Sequence, residues 1–107
     1  MTNERFNEIV EEQTEHIKSL LIKKGNEYSL EADRLSNFKH GAEITGWPCE
    51  KVLLGYQLKH ITSYIDMINS GKKFSRELWQ EKLTDMTNYN ILLLGILEDG
   101  NMFTEEK

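Results

Sequence analysis

A single proline, Pro48, in 107 residues is the strongest constraint on what this chain can fold into. Proline breaks helix interiors and central strands, so nothing in the chain forbids long uninterrupted helices on either side of its middle. The apolar residues recur at helical spacing and never in the strict alternation of a half-buried strand. Phe6, Ile9, Val10, Ile17, Leu20 and Leu21 predict a first helix over about 3–24. Lys23-Lys24 would form its basic last turn and Gly25 its stop. A short second helix is expected over 36–44. Pro48 suits the first turn of a third helix, over 48–69. Ser75 can cap a fourth, over 75–98. The expectation is one all-α domain spanning 1–107, resembling a four-helix bundle.

Size and charge narrow the partners. Apolar residues make up 38% of the chain, so one core is affordable but small. A chain of this length commonly gains the missing burial by oligomerising, and a homo-oligomer is expected. The net charge of −5 argues against a general DNA or RNA binder, which presents a basic face to phosphates. One cysteine, Cys49, allows no internal disulfide and no cysteine zinc site. Met1-Thr2-Asn3-Glu4-Arg5-Phe6 lacks the apolar core of a signal peptide, and no apolar run approaches a membrane span. The expected location is the cytoplasm, without membrane attachment.

Two polar stripes interrupt the apolar pattern of the C-terminal half. Lys59, Ser63 and Asp66 share the spacing i, i+4, i+7, and so do Glu81, Asp85 and Asn88. Each trio falls on one helix face. Facing one another, the stripes would line a polar pocket. A carboxylate pair at i, i+4 can bind Mg²⁺ through oxygen, or it can balance Lys59 in a structural ion pair. His60, alone among apolar neighbours, reads first as a half-buried histidine with a satisfied hydrogen bond. The loop between the first two helices gathers Lys24, Tyr28, Asp33, Arg34, Asn37 and Phe38. Its aromatic rings either plug the core or stack on a base. Its cations can grip phosphate, and its asparagine can read a base edge or a ribose.

At these residues the chain resembles a known group. Lys24-Gly-Asn-Glu-Tyr28, Asp33-Arg34-Leu35-Ser36-Asn37-Phe38, Leu58-Lys59-His60 and Asp85-Met-Thr-Asn88-Tyr89 are similar to elements of small phage and prophage proteins related to the MazG-like, all-α nucleotide pyrophosphatases. The resemblance runs from about Ile17 to Glu98. It implies an oligomeric helical core and, in the active enzymes, Mg²⁺ held by acidic pairs on two helices. The chain departs from that pattern. Glu81 and Asp85 are one residue further apart than the enzymes' pair, and Lys59, His60, Ser63 and Asp66 stand where the first acid pair is expected.

Exchanging acids for a lysine and a histidine favours direct phosphate contact over metal-assisted hydrolysis. The first reading is therefore a phage-type protein that binds a nucleotide or nucleotide-derived signal without cleaving it. By analogy it would sequester a host immune signal inside the host cell. Lys24, Arg34, Lys59 and His60 would meet phosphate, and Tyr28 or Phe38 would stack on the base. Asp66, Asp85 and Asn88 would contact ribose or base, and no cofactor is required. A second reading is a Mg²⁺-dependent nucleoside triphosphate pyrophosphatase with metal on Glu81, Asp85 and Asp66. A third is a helical interaction module with no small ligand.

Overall fold

The computed structural model describes residues 1–28 and 33–105, with side chains for 1–23 and 33–105. It is all-helical among these residues. The helices are α1 (Asn3–Tyr28), α2 (Ser36–Thr45), α3 (Cys49–Asn69) and α4 (Arg76–Asp99).

Local chemistry explains most of the boundaries. The Thr2 hydroxyl accepts from the Arg5 backbone N–H at 3.0 Å, satisfying one donor at the open N-terminus of α1. Asp33 opens α2 through a side-chain turn, its carboxylate accepting from the Leu35 N–H at 2.9 Å. Gly46, at φ 75°, closes α2 in the left-handed conformation that favours glycine, and its N–H reaches Ala42 O. Pro48 stands in extended backbone immediately before Cys49, one position earlier than a first-turn proline. Ser75 caps α4 as expected, accepting from the Leu78 N–H at 3.1 Å.

One boundary departs from expectation. Gly25 does not stop α1, which continues to Tyr28. A helix-interior glycine costs about 1 kcal/mol relative to alanine, which neighbouring turns can outweigh.

The helices form an open arrangement rather than a closed bundle. By close backbone approach among the described residues, α3 packs on α4, α2 on α3 and α1 on α4. The core sits where α2 crosses the α3/α4 pair: Phe38, Val52, Leu53 and Ile96, flanked by Leu35, Tyr89, Leu92 and Leu93. Gly41 lets α2 approach α3 closely, because a Cβ there would stand 2.7 Å from Val52 Cγ1. The α1/α4 joint is polar. Thr84 is fully buried, and its hydroxyl accepts from Gln13 Nε2 at 2.7 Å. Gln80 donates in turn to Gln13 Oε1 at 3.3 Å, and Arg76 pairs with Glu12 at 3.1 Å. The radius of gyration is 16.3 Å, against about 13 Å for a compact domain of this length. Among the described residues, no helix is long and apolar enough to cross a membrane.

Candidate ligand-binding site

A cavity of about 340 Å³ opens between α2 and the α3/α4 pair. Asn37, Phe38, His40, Gly41 and Ile44 line it from α2, Tyr56 from α3 and Tyr89 from α4. Helical spacing explains the α2 contribution, since Asn37, Gly41 and Ile44 lie at i, i+4, i+7 and share one face. The walls are aromatic. Phe38 and Tyr56 meet edge-to-face with centroids 6.0 Å apart. Phe38 is buried and fixed by the core, whereas Tyr56 is half exposed at the mouth.

Behind Tyr89 lies a line of polar groups. The Tyr89 hydroxyl is 3.5 Å from His60 Nε2, and the two rings pack at 5.2 Å between centroids. His60 Nδ1 is 3.8 Å from the Asp85 carboxylate. That is an ion-pair separation, wider than a direct hydrogen bond. The antiparallel pairing of α3 and α4 creates this line. His60 faces one turn of α4, from which Asp85 and Tyr89 project at i and i+4. Burial, then the negative charge of Asp85, then Tyr56 push the Tyr89 phenol above its ordinary value. Tyr89 Oη and His60 Nε2 stand at the outer limit of hydrogen-bond reach, and which of them donates depends on the histidine tautomer.

The residues expected from sequence fall in different places. Asn37 and Phe38 line the cavity, while His60 and Asp85 stand behind it. Asp33 and Arg34 are engaged locally: Asp33 pairs with Lys39, and Arg34 Nη2 donates to Leu21 O at 2.8 Å. Lys39 bridges Asp33 and Asp99, the latter at 3.0 Å. Its hydrogen bond to Asp33 and then that to Asp99 raise its pKa, and the same bond lowers that of Asp33. Lys59 and Asp66 are exposed and Ser63 is half-buried. Among the described residues, Lys59 makes no ion pair with an acid of α4; Asp85 faces His60 instead. Lys24 and Tyr28 lie outside the residues with described side chains.

Asn88 is half-buried, and its carbonyl oxygen finds no hydrogen-bond partner among the described residues. A buried acceptor left unpaired costs about 1–3 kcal/mol. Glu81 is exposed. No three carboxylate, imidazole or thiol side chains converge as a metal ligand set among the described residues, so Glu81, Asp85 and Asp66 are not gathered into one.

Comparison with protein-family models, curated proteins and solved structures gives no match. The site stands on its own geometry.

Sequence reasoning did not assign His40, Tyr56 or Tyr89 to the site. A signal existed for the two tyrosines. Tyr56 precedes His60 by one turn on the same face, and Tyr89 follows Asp85 by one turn. Each apolar ring reads equally well as core.

Proposed function

We propose that this protein binds a nucleotide or nucleotide-derived signal and releases it intact. The observation that carries the reading is the aromatic cavity walled by Phe38, Tyr56 and Tyr89. Base stacking on aromatic rings contributes about 1–3 kcal/mol per base and tolerates every base. The Asn37 amide offers both donors and an acceptor to a base edge. At 340 Å³ the cavity is at the small end of ligand pockets, which span about 300–1,000 Å³. It suits a base and its sugar, with the phosphates outside. Lys59, exposed one turn after Tyr56 on α3, is the cation this reading assigns to them. The MazG-like resemblance points to the same ligand class, and sequestration of a host defence signal is the biological role it suggests.

The competing reading is Mg²⁺-dependent hydrolysis on Glu81, Asp85 and Asp66. The binding reading routes no chemistry through a metal. Its support is that Asp85 turns its carboxylate to His60.

A thermal-shift screen against linear and cyclic nucleotides, with and without Mg²⁺, tests it when each ligand is recovered by chromatography. The expected result is a stabilising ligand recovered unchanged, its shift lost in Tyr56→Ala and reduced in Tyr89→Phe. Recovery as monophosphate and pyrophosphate would establish the hydrolase instead. No shift with any nucleotide would leave the interaction module.

A further inference from the structure

A second cavity, of about 290 Å³, lies in the groove between α1 and α4. It shares no lining residue with the aromatic cavity. Its apolar walls are Ile9 of α1 and Trp79 and Leu83 of α4. Phe74 meets the Trp79 ring edge-on, with centroids 6.3 Å apart, and braces the indole as a flat wall.

Two carboxamides reach the groove from facing helices, Gln13 from α1 and Gln80 from α4. Gln13 is engaged at both ends. Its Nε2 donates to Thr84 Oγ1 at 2.7 Å, and its Oε1 accepts from Gln80 Nε2 at 3.3 Å. That second bond is longer than the usual N–H···O range of about 2.7–3.2 Å. Gln80 keeps spare capacity, because a glutamine amide has two donors and an acceptor. Among the described residues, its carbonyl and its second N–H have no partner. A donor beside an acceptor, on a half-buried amide, is the complement of another carboxamide, which closes both bonds at once.

Charge and size narrow the occupant. The charged groups of the groove, Glu12 and Arg76, pair with each other at 3.1 Å. Arg5 bonds Glu12 and Glu8 in turn. Two guanidiniums and two carboxylates cancel, so no net charge remains to hold an ion. An ionised ligand would exchange water for carbon walls, at a high desolvation cost. At about 290 Å³ the groove falls just below the usual pocket range of about 300–1,000 Å³. One ring with one short substituent is the size it admits.

We infer that the α1/α4 groove binds an uncharged, single-ring molecule bearing a carboxamide. The ring lies on Trp79 and Leu83 with Ile9 across from it, and the amide closes two hydrogen bonds with Gln80. Walls from both helices make the ligand a bridge between α1 and α4, at a joint otherwise held by polar bonds. The site is independent of the nucleotide reading.

Benzamide is the probe, with benzoate as its charged counterpart and toluene as the ring without the amide. In a Trp47→Phe protein, Trp79 is the one remaining tryptophan, and its fluorescence reads the groove. The expected result is a saturable change with benzamide at about millimolar concentration, the affinity open to so small a ligand. Benzoate and toluene should each bind at least about tenfold more weakly. Gln80→Met removes the amide and keeps the chain length. It should erase the preference for benzamide over toluene, with helicity kept by circular dichroism. No saturable change with benzamide overturns the inference. So does equal binding of benzoate or toluene, or a preference that survives Gln80→Met. Should Gln80→Met lose its helicity, Thr87→Leu decides, since Thr87 also lines the groove. Loss of benzamide binding with helicity kept supports the site, and unchanged binding overturns it.

Discussion

Replacing Gly41 by alanine should destabilise the protein although it improves the helix. In an exposed helix interior the exchange gains about 1 kcal/mol. Here the new Cβ would stand 2.7 Å from Val52 Cγ1, 3.6 Å from Cγ2 and 3.7 Å from its Cβ. Carbon atoms pack best at about 3.5–4.0 Å, so α2 must lift or Val52 must turn. Val52 is buried and β-branched, with little rotamer freedom. It sits beside Leu53, which is only 1% exposed. Overpacking of this kind costs about 1–3 kcal/mol. Set against the propensity gain, the net loss is about 1 kcal/mol, or roughly 4–8 °C in Tm for a domain near 100 residues. Urea unfolding followed by circular dichroism measures it. Trimming the obstacle supplies the control. Val52→Ala should cost less in the Gly41→Ala background than in wild type, with a coupling of about 1–2 kcal/mol. If Gly41→Ala stabilises the protein and shows no coupling to Val52, the close α2/α3 approach is wrong. The wall of the aromatic cavity would then need redrawing, since Gly41 lines it.

The Gln13–Thr84 bond should couple α1 to α4 by about 1 kcal/mol, the net worth of one intramolecular hydrogen bond. A double-mutant cycle of Gln13→Ala and Thr84→Val reads this, and near-zero coupling would place the joint elsewhere. The Asp33–Lys39 pair should show up in the pH profile of stability. Asp33 has its folded pKa below the ordinary 3.8, chiefly through the Lys39 hydrogen bond. Its contribution is therefore complete above that value and is lost as pH falls through the folded pKa. Lys39 is raised above its ordinary 10.5, so its contribution is present below that pH and fades on strong alkalinisation. Lys39→Met should flatten the acid limb below the ordinary carboxyl value of 3.8 relative to wild type; an unchanged limb would assign acid sensitivity to other carboxylates.

The fold class was legible because it rests on period and punctuation. The apolar repeat of α1, the serine before α4 and the break around Gly46 to Pro48 each carry a local cause that a sequence displays. The far end of α1 was not legible. Gly25 reads as a stop, yet glycine only weakens a helix, and the structure carries it through to Tyr28. The site was legible in part. The period correctly groups Lys59 with Ser63 and Asp66, but period alone does not say which way a face points. The register between α3 and α4 decides that. It turns His60, rather than Lys59, towards Asp85, and it brings Tyr56 and Tyr89, more than thirty positions apart in sequence, to one cavity.

The way α1 is fastened gives it the mechanics of a beam on two pins. One pin is Gln13 on Thr84; the other is Arg34 on the Leu21 carbonyl, about 12 Å further along the axis. The second is exposed to water whereas the first ends on the buried Thr84, and among the described side chains of α1 the apolar Ile9, Ile17, Leu20 and Leu21 are only partly buried. Removing the second pin, as in Arg34→Ala, turns the beam into a lever pivoting at Gln13. The arm from there to Tyr28 is about 22 Å long. A swivel of about 10° then carries its tip through about 4 Å, by the same helical rise. Among the described residues, the Arg34 guanidinium thus helps to set the direction of the far half of α1.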